Sequence, residues 1–165
     1  FLKQRTTVVR SRCHANLHLG QFLYTGKDFM IIDFEGESSR PISDRRRKRS
    51  SLRDVASMLR SFHYAAMMAL GDQLKAGALG ERDYAAVEPF ANLWHSWSSW
   101  AYMKGYLEVA GRSSVIPKDR HELRVLLDAF RLEKALVELE HEVRHRPDLV
   151  HIPLHGIEQI LSLVP

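Results

Sequence analysis

The feature that most constrains the fold is the stretch of residues 13–37, CHANLHLGQFLYTGKDFMIIDFEGE. Residues 21–25 and 29–32 are short runs rich in aromatic and β-branched residues, and a Gly-Lys-Asp turn separates them. This pattern predicts a β-hairpin. Because two strands paired about that turn bring their outer ends together, we expect Gln21 to lie close to Asp33.

The two outer ends of this hairpin carry side chains that suit a hard cation. Gln21 offers an amide oxygen and Asp33 a carboxylate, with Glu35 and Glu37 just beyond. Proteins usually hold Mg²⁺ by one or two carboxylates, while substrate phosphates and water fill the other positions. The pattern therefore indicates metal-assisted phosphoryl transfer. Asp, Glu and Gly after a strand are also ordinary turn residues, so the spacing alone leaves a simple turn open.

A zinc site is the weaker alternative for this stretch. His14 and His18 lie near Cys13, but these residues and the remaining histidines show no four-ligand spacing. A single cysteine excludes an internal disulfide and fits a reducing, cytoplasmic setting. We expect Cys13 to be a buried strand residue.

Length and charge exclude some other classes. The chain has 165 residues, enough for one domain with a sizeable core, and no apolar run approaches the roughly 20 residues of a membrane span. A basic run at residues 45–49 could contact nucleic acid, but the net charge is only +4 and no aromatic residue interleaves with the run. We therefore expect a solvated loop over residues 38–51, without a nucleic-acid or membrane partner.

Helical periodicity dominates the rest of the sequence. Ser51 is a plausible N-cap with Asp54 in the first turn, a glycine-rich loop follows at residues 71–81, and the tryptophans at 94, 97 and 100 are expected in the core. Four helices are predicted: one that starts at residue 52, and three that cover residues 84–110, 118 or 119 to 145, and 154–163. One short strand is predicted at residues 7–10, and an extended link at residues 148–153. This indicates a mainly α (α+β) fold, a helical bundle carrying a small hairpin.

The order His-x-Asn-x-His-x-x-x-Gln, hairpin, Asp-Phe-Glu-Gly-Glu resembles the catalytic and metal-binding loops of kinases related to aminoglycoside phosphotransferases. A longer match is similar to the maltokinases, including those fused to trehalose synthase. It comprises LHLGQFLYTGKDFMIIDFEGE, RPISDRRRKRSSLRDVASMLRSFHYAA and RLEKALVELEHEVRHRPDLVHIPLHGI. The resemblance implies that residues 1–165 form the C-terminal lobe of a protein-kinase-like fold. Residues 1–37 would carry the catalytic loop and metal-binding hairpin, and residues 38–165 the helical subdomain. An N-terminal lobe, whose lysine reaches the nucleotide phosphates, is expected to be absent from this chain.

The resemblance also implies roles for individual residues. Gln21 and Asp33 would be the Mg²⁺ ligands, and His14 would orient the catalytic loop. Asn16 stands where the family pattern His-Gly-Asp places the catalytic aspartate, and Ala15 replaces the glycine. An amide cannot take a proton from a sugar hydroxyl, and the added Cβ would strain the loop if its backbone needs a positive φ.

Three residues further along the chain complete the implied site. Asp54 would brace the catalytic loop by hydrogen bonds to its backbone, although a simple capping residue is the alternative. Tyr102 and Tyr106 lie one helical turn apart, so both hydroxyls can point from one face toward a sugar.

The implied activity is ATP-dependent phosphorylation of maltose to maltose 1-phosphate for α-glucan or glycogen synthesis, with ATP and Mg²⁺ as cofactors. We expect the activity to be impaired because Asn16 replaces the catalytic aspartate. The alternative is a non-catalytic, kinase-like interaction or regulatory module, attached to or associated with a trehalose synthase. An exposed apolar surface would favour that alternative.

Overall fold

The computed structural model describes residues 9–37 and 40–162, and it is mostly helical with one small hairpin, which confirms the predicted fold class. In chain order the elements are β1 (Phe22–Tyr24), β2 (Phe29–Ile31), α1 (Ile42–Arg45), α2 (Leu52–Lys75), α3 (Glu81–Ala110), α4 (Arg120–His145) and α5 (His151–Ser162), with 3₁₀ turns at Leu19–Gln21 and Pro147–Leu149. No helix in the described part of the chain has the length and apolarity that a membrane crossing requires.

The hairpin forms where the sequence predicts it. Phe22 lies opposite Ile31 and Tyr24 opposite Phe29 in an antiparallel pair. The amide of Ile32 then donates to the carbonyl of Gln21 at 3.0 Å, which closes the open end of the hairpin. The residues just before β1 and just after β2 are therefore held side by side.

A predicted strand at residues 7–10 falls partly outside the described residues. Val9 and Arg10 are not in a strand, and the pairing begins one residue later as a single bridge between Ser11 and Arg49. This bridge ties the segment before Cys13 to the loop that contains the basic run. Cys13 beside it is only half-buried, and its thiol contacts the carbonyl of Ser50 at 3.4 Å.

Helix α2 is the centre of the bundle, with α3 and α4 packed against it. Its buried residues Leu52, Val55 and Leu59 recur at helical spacing and join Ile116 in one apolar cluster. A second cluster further along α2 includes Ala66, Met67, Leu149 and Ile152. Burying each such side chain stabilises the fold by roughly 1.5–3 kcal/mol, so α2 provides a rigid base for the loops at its N-terminal end.

Three predicted boundaries were wrong. Helix α2 continues through Gly71 to Lys75, so the glycine-rich loop is shorter than residues 71–81. Helix α1 occupies part of the basic stretch predicted as loop. Helix α5 begins at His151 instead of residue 154, because Pro153 lies in its first turn, where the lost N–H has no helical partner anyway.

The prediction that the tryptophans belong to the core was wrong as well. Trp97 is 60% exposed and Trp100 is 56% exposed. Helix α3 packs on α2 through a different side, which includes Tyr102 and Met103. Regular spacing shows that large apolar residues share a face, but it does not show which face a neighbouring helix covers.

Three histidines form part of the interior between α2, α3 and α5. The ring of His63 lies 5.2 Å from that of His95 and 5.3 Å from that of His155, centroid to centroid. Burial, reinforced by the nearby charge of Arg60, lowers the pKa of His63 to about 2. Burial and the charge of Arg131 lower the pKa of His95 to about 4. Both imidazoles are therefore neutral at physiological pH.

We expect the free energy of unfolding to fall as the pH drops from about 6.5 toward 4. Histidine in an unfolded chain titrates near pH 6.5, so the unfolded state then binds protons that buried His63 and His95 do not. The expected loss is roughly 1 kcal/mol per pH unit for each histidine. Urea denaturation near pH 7.5 and near pH 5.5 measures it, and His95→Gln should reduce the difference while the exposed His121→Gln should not. Equal stability of the unmutated chain at the two pH values would contradict this expectation.

Candidate active site

The first turn of α2 holds the loop that contains Asn16. The carboxylate of Asp54 accepts hydrogen bonds from the backbone N–H groups of His14, at 2.7 Å, and Ala15, at 2.9 Å. Burial raises the pKa of Asp54, and the two N–H donors act in the opposite direction. Asp54 therefore bonds the loop across 40 residues of sequence instead of capping its own helix.

Ser51 does not cap α2 with its side chain either. Its hydroxyl donates to the carbonyl of Val115 at 3.3 Å and lies 3.1 Å from the hydroxyl of Tyr106. The hydroxyl of Ser50 instead accepts from the amide of Leu52 at 3.3 Å. Ser51 is therefore the N-cap residue by position, as predicted, but its side chain joins α2 to α3 and to the segment after it instead of capping the helix.

The backbone at Ala15 has a positive φ of 68°. An L-residue in this left-handed region costs roughly 1–2 kcal/mol, and glycine avoids that cost. The sequence predicts strain at Ala15 if the backbone there needs a positive φ, and the structure has that positive φ. The two hydrogen bonds to Asp54 hold the peptide in place against it.

His14 connects this loop to the end of the hairpin. Its Nε2 donates to the carbonyl of Ile32 at 2.7 Å, and its ring packs against Phe34 with centroids 5.0 Å apart. A carbonyl only accepts, so the proton is on Nε2.

The hairpin brings Gln21 and Asp33 together. Nε2 of Gln21 donates to Oδ2 of Asp33 at 2.9 Å, and Asp33 itself has a φ of 61°. The amide oxygen and nitrogen exchange places when the side chain rotates, so an oxygen from each residue can face the same point. Those donors fit Mg²⁺. Within the described residues, no group of three or more His, Cys, Asp and Glu side chains is placed to hold a metal. A cation held by Gln21 and Asp33 would take its other ligands from phosphates and water.

A polar cavity of about 590 Å³ lies beside Asn16, between the loop, α2 and α4. Its lining is almost entirely polar or charged and includes His18, Ser57, Ser61, Lys134, Glu138 and Glu142. Nε2 of His18 also lies 3.3 Å from Nε2 of Gln21. The cavity and the Gln21–Asp33 pair are therefore neighbours.

Each carboxylate that α4 contributes to the cavity is paired with an arginine. Glu138 accepts from Nε and Nη2 of Arg60 at 2.9 and 2.7 Å. Glu142, only 2% exposed, accepts from the hydroxyl of Tyr64 and from Arg146, both at 2.8 Å. Neither glutamate is among the site residues predicted from the sequence. The available signal was their spacing, because residues 134, 138 and 142 lie one above the other on one side of a helix.

The structure does not bring the predicted tyrosine pair to this cavity. Tyr102 and Tyr106 stack on each other with centroids 6.4 Å apart and pack against the buried cluster around Leu52. Burial raises the pKa of Tyr102 to about 12. The cavity beside Asn16 is lined by the loop, α2 and α4, and neither tyrosine lines it, so a sugar contact from this pair stays a prediction.

The fold is kinase-like. Solved structures of glucosamine kinase match it with TM-scores of 0.69–0.70 at 20% sequence identity, covering 90–92% of this chain and 33–34% of theirs. One of them is a complex with glucosamine, ADP and inorganic phosphate.

In sequence, the chain is 30% identical over 150 residues to glucosamine kinase of Mycolicibacterium smegmatis (strain ATCC 700084 / mc(2)155). The match covers 90% of this chain and 34% of that protein. No family model matches the sequence. The chain is thus homologous to a sugar kinase over most of its length, and it spans about a third of the length of the relatives that it matches.

Proposed function

We propose that this chain is the C-terminal lobe of an ATP-dependent sugar kinase, with residues 1–37 carrying the catalytic and metal loops and maltose as the acceptor. The observation that carries the proposal is the adjacency of two sites through His18, which lines the Asn16 cavity and contacts Gln21. A sugar hydroxyl beside Asn16 would then lie next to the Gln21–Asp33 pair. The homology to glucosamine kinase, one structure of which contains ADP, supports the same reaction class.

In this proposal each residue of the loops has a defined task. Gln21 and Asp33 would hold Mg²⁺, which neutralises charge on the nucleotide phosphates. His14 and Asp54 fix the backbone around Asn16. Asn16 can hydrogen-bond the acceptor hydroxyl and orient it, but an amide does not remove its proton. The site therefore orients both substrates without a general base, and turnover is expected to be slow.

The charge of the cavity supports an uncharged sugar. Glu138 is paired with Arg60, Glu142 with Arg146 and Glu37 with Arg40, and Lys134 adds a further positive charge. Glucosamine carries an ammonium group at neutral pH and gains most from an unpaired carboxylate. Maltose carries only hydroxyl groups, which can use the remaining acceptors and donors of a balanced cavity.

The remaining parts of the proposal follow from the resemblance to maltokinases. The product would be maltose 1-phosphate, a donor for α-glucan or glycogen synthesis. In the full-length protein an N-terminal kinase lobe would complete the nucleotide site, and a fused or associated trehalose synthase would supply maltose.

Calorimetric titration of the protein with maltose and with glucosamine, each in saturating ADP and Mg²⁺, tests the proposal. We expect a dissociation constant for maltose at least about tenfold below that for glucosamine, a difference of roughly 1.4 kcal/mol. Tighter binding of glucosamine than of maltose would mean that the proposed acceptor is an amino sugar instead of maltose. If the protein binds neither of the two sugars and does not bind ADP with Mg²⁺, the kinase proposal is wrong.

The second candidate is a non-catalytic interaction module, and exposed apolar side chains favour it. On the hairpin, Tyr24 is 66% and Phe29 is 65% exposed, and Trp97 and Trp100 are exposed on α3. Such surfaces often mark protein contacts. Asn16 in place of an aspartate is consistent with a site retained for binding only. The titration above separates the candidates, since this module need not bind ADP with Mg²⁺.

A further inference from the structure

Arg60 is an arginine buried in the middle of α2. It is only 2% exposed, yet its guanidinium reaches α4, where Nε and Nη2 both donate to Oε2 of Glu138. The other oxygen of Glu138, Oε1, has no hydrogen-bond partner among the described residues, and Glu138 lines the Asn16 cavity. One carboxylate oxygen is thus fixed from behind, while the other remains available to a ligand.

His63 fixes the third nitrogen of the same guanidinium. Nη1 of Arg60 lies 3.2 Å from Nδ1 of His63. Because arginine only donates, Nδ1 accepts, and the proton of a neutral imidazole is then on Nε2. That nitrogen lies 3.3 Å from Nδ1 of His155, which can accept from it. Donation therefore runs outward from Arg60, to the cavity carboxylate of Glu138 on one side and through His63 to His155 on α5 on the other.

Gly156 on α5 supplies the space that Arg60 occupies. A Cβ added at Gly156 would lie 1.8 Å from Nη1 and 2.7 Å from Cζ of Arg60. Glycine is a poor helix former, so its presence inside α5 is consistent with this steric need. The added carbon fits only if the guanidinium moves, and that movement breaks its bonds to Glu138 and His63.

We propose that Arg60 is a positioning residue that holds the free oxygen of Glu138 toward the Asn16 cavity as an acceptor for a sugar hydroxyl, and that Gly156 and His63 fix Arg60 in that pose. The proposal rests on the proposed function, since it assigns the cavity to the sugar. Two N–H groups of the rigid guanidinium converge on one oxygen of Glu138, Oε2, and fix its position in a way that a lysine ammonium does not.

The test compares two matched glycine substitutions in helices. Gly156→Ala forces Arg60 away from its position, whereas Gly105→Ala on α3 meets no atom within 4 Å. Titration with maltose in saturating ADP and Mg²⁺, followed by titration with ADP and Mg²⁺ alone, measures both ligands. We expect Gly156→Ala to weaken maltose binding at least tenfold with less than a twofold change for ADP, and Gly105→Ala to change neither.

Arg60→Lys provides a second variant if Gly156→Ala does not fold, as judged by circular dichroism. It keeps the charge, loses the two-point bond and should weaken maltose binding about fivefold or more with ADP unaffected. Equal losses for maltose and ADP would indicate a merely structural role and overturn the proposal. Unchanged maltose binding in both variants would overturn the positioning role alone. An unmutated protein that binds no sugar would overturn the proposed function together with it.

Discussion

Asn16→Asp is expected to raise the rate of maltose phosphorylation by about 10²–10⁴-fold, the range that a general base usually contributes. The substitution preserves the shape of the side chain and replaces an amide by a carboxylate that can accept the hydroxyl proton. The backbone that leads into Asn16 is already held by Asp54 and by the bond from His14 to Ile32. Initial rates of ATP-dependent phosphorylation in saturating Mg²⁺, with the full-length protein, measure the change.

Asn16→Ala is the matched control for this experiment. It removes the hydrogen bond to the acceptor without adding a base, so its rate should fall below that of the unmutated protein. An Asn16→Asp rate equal to that of the unmutated protein, with maltose still bound, would show that the cavity does not place a hydroxyl at this residue.

Asp54→Ala is expected to lower the free energy of unfolding by about 3 kcal/mol. Hydrogen bonds to a charged group contribute roughly 1.5–3 kcal/mol each, and the substitution removes two of them. The desolvation of this buried carboxylate offsets part of their sum. The strained peptide at Ala15 would also lose the groups that hold it at positive φ. Urea denaturation near neutral pH measures the loss.

Two further variants serve as controls for the Asp54→Ala measurement. Asp72→Ala, an exposed aspartate on the same helix, should change stability by no more than about 0.5 kcal/mol. Asp54→Asn keeps one acceptor oxygen and should give an intermediate loss. If Asp54→Ala were no more destabilising than Asp72→Ala, the two hydrogen bonds would not be holding the loop.

The hairpin and the approach of Gln21 to Asp33 could be predicted because turn chemistry and strand pairing are local. The bonds from Asp54 to the loop also lie where the family resemblance placed them. The cavity could not be predicted in the same way. Glu138 and Glu142 line the same cavity as Asn16 only after α4 has packed on α2. Their spacing shows that they share one side of α4, but it does not show that this side is buried against another helix.

The errors on α3 have the same origin. Trp97 and Trp100 share helical spacing with core residues, and Tyr102 and Tyr106 share spacing with a sugar-facing pair. The structure contradicts the tryptophan expectation, because α2 covers the tyrosine side of α3 and leaves Trp97 and Trp100 exposed. The sugar contacts of the two tyrosines stay a prediction. Spacing fixes which side chains are neighbours on one helix, whereas tertiary packing decides which of them meets solvent.

The loop around Ala15 owes its shape to a residue far away in the sequence. Asp54 holds the peptides at positions 14 and 15, so the loop keeps a backbone that would otherwise call for glycine. Form and chemistry are consequently specified by different residues here. In the proposed site, Asp54 would hold this backbone whichever side chain stands at position 16, so Asn16→Asp would supply the missing base without any change to the loop.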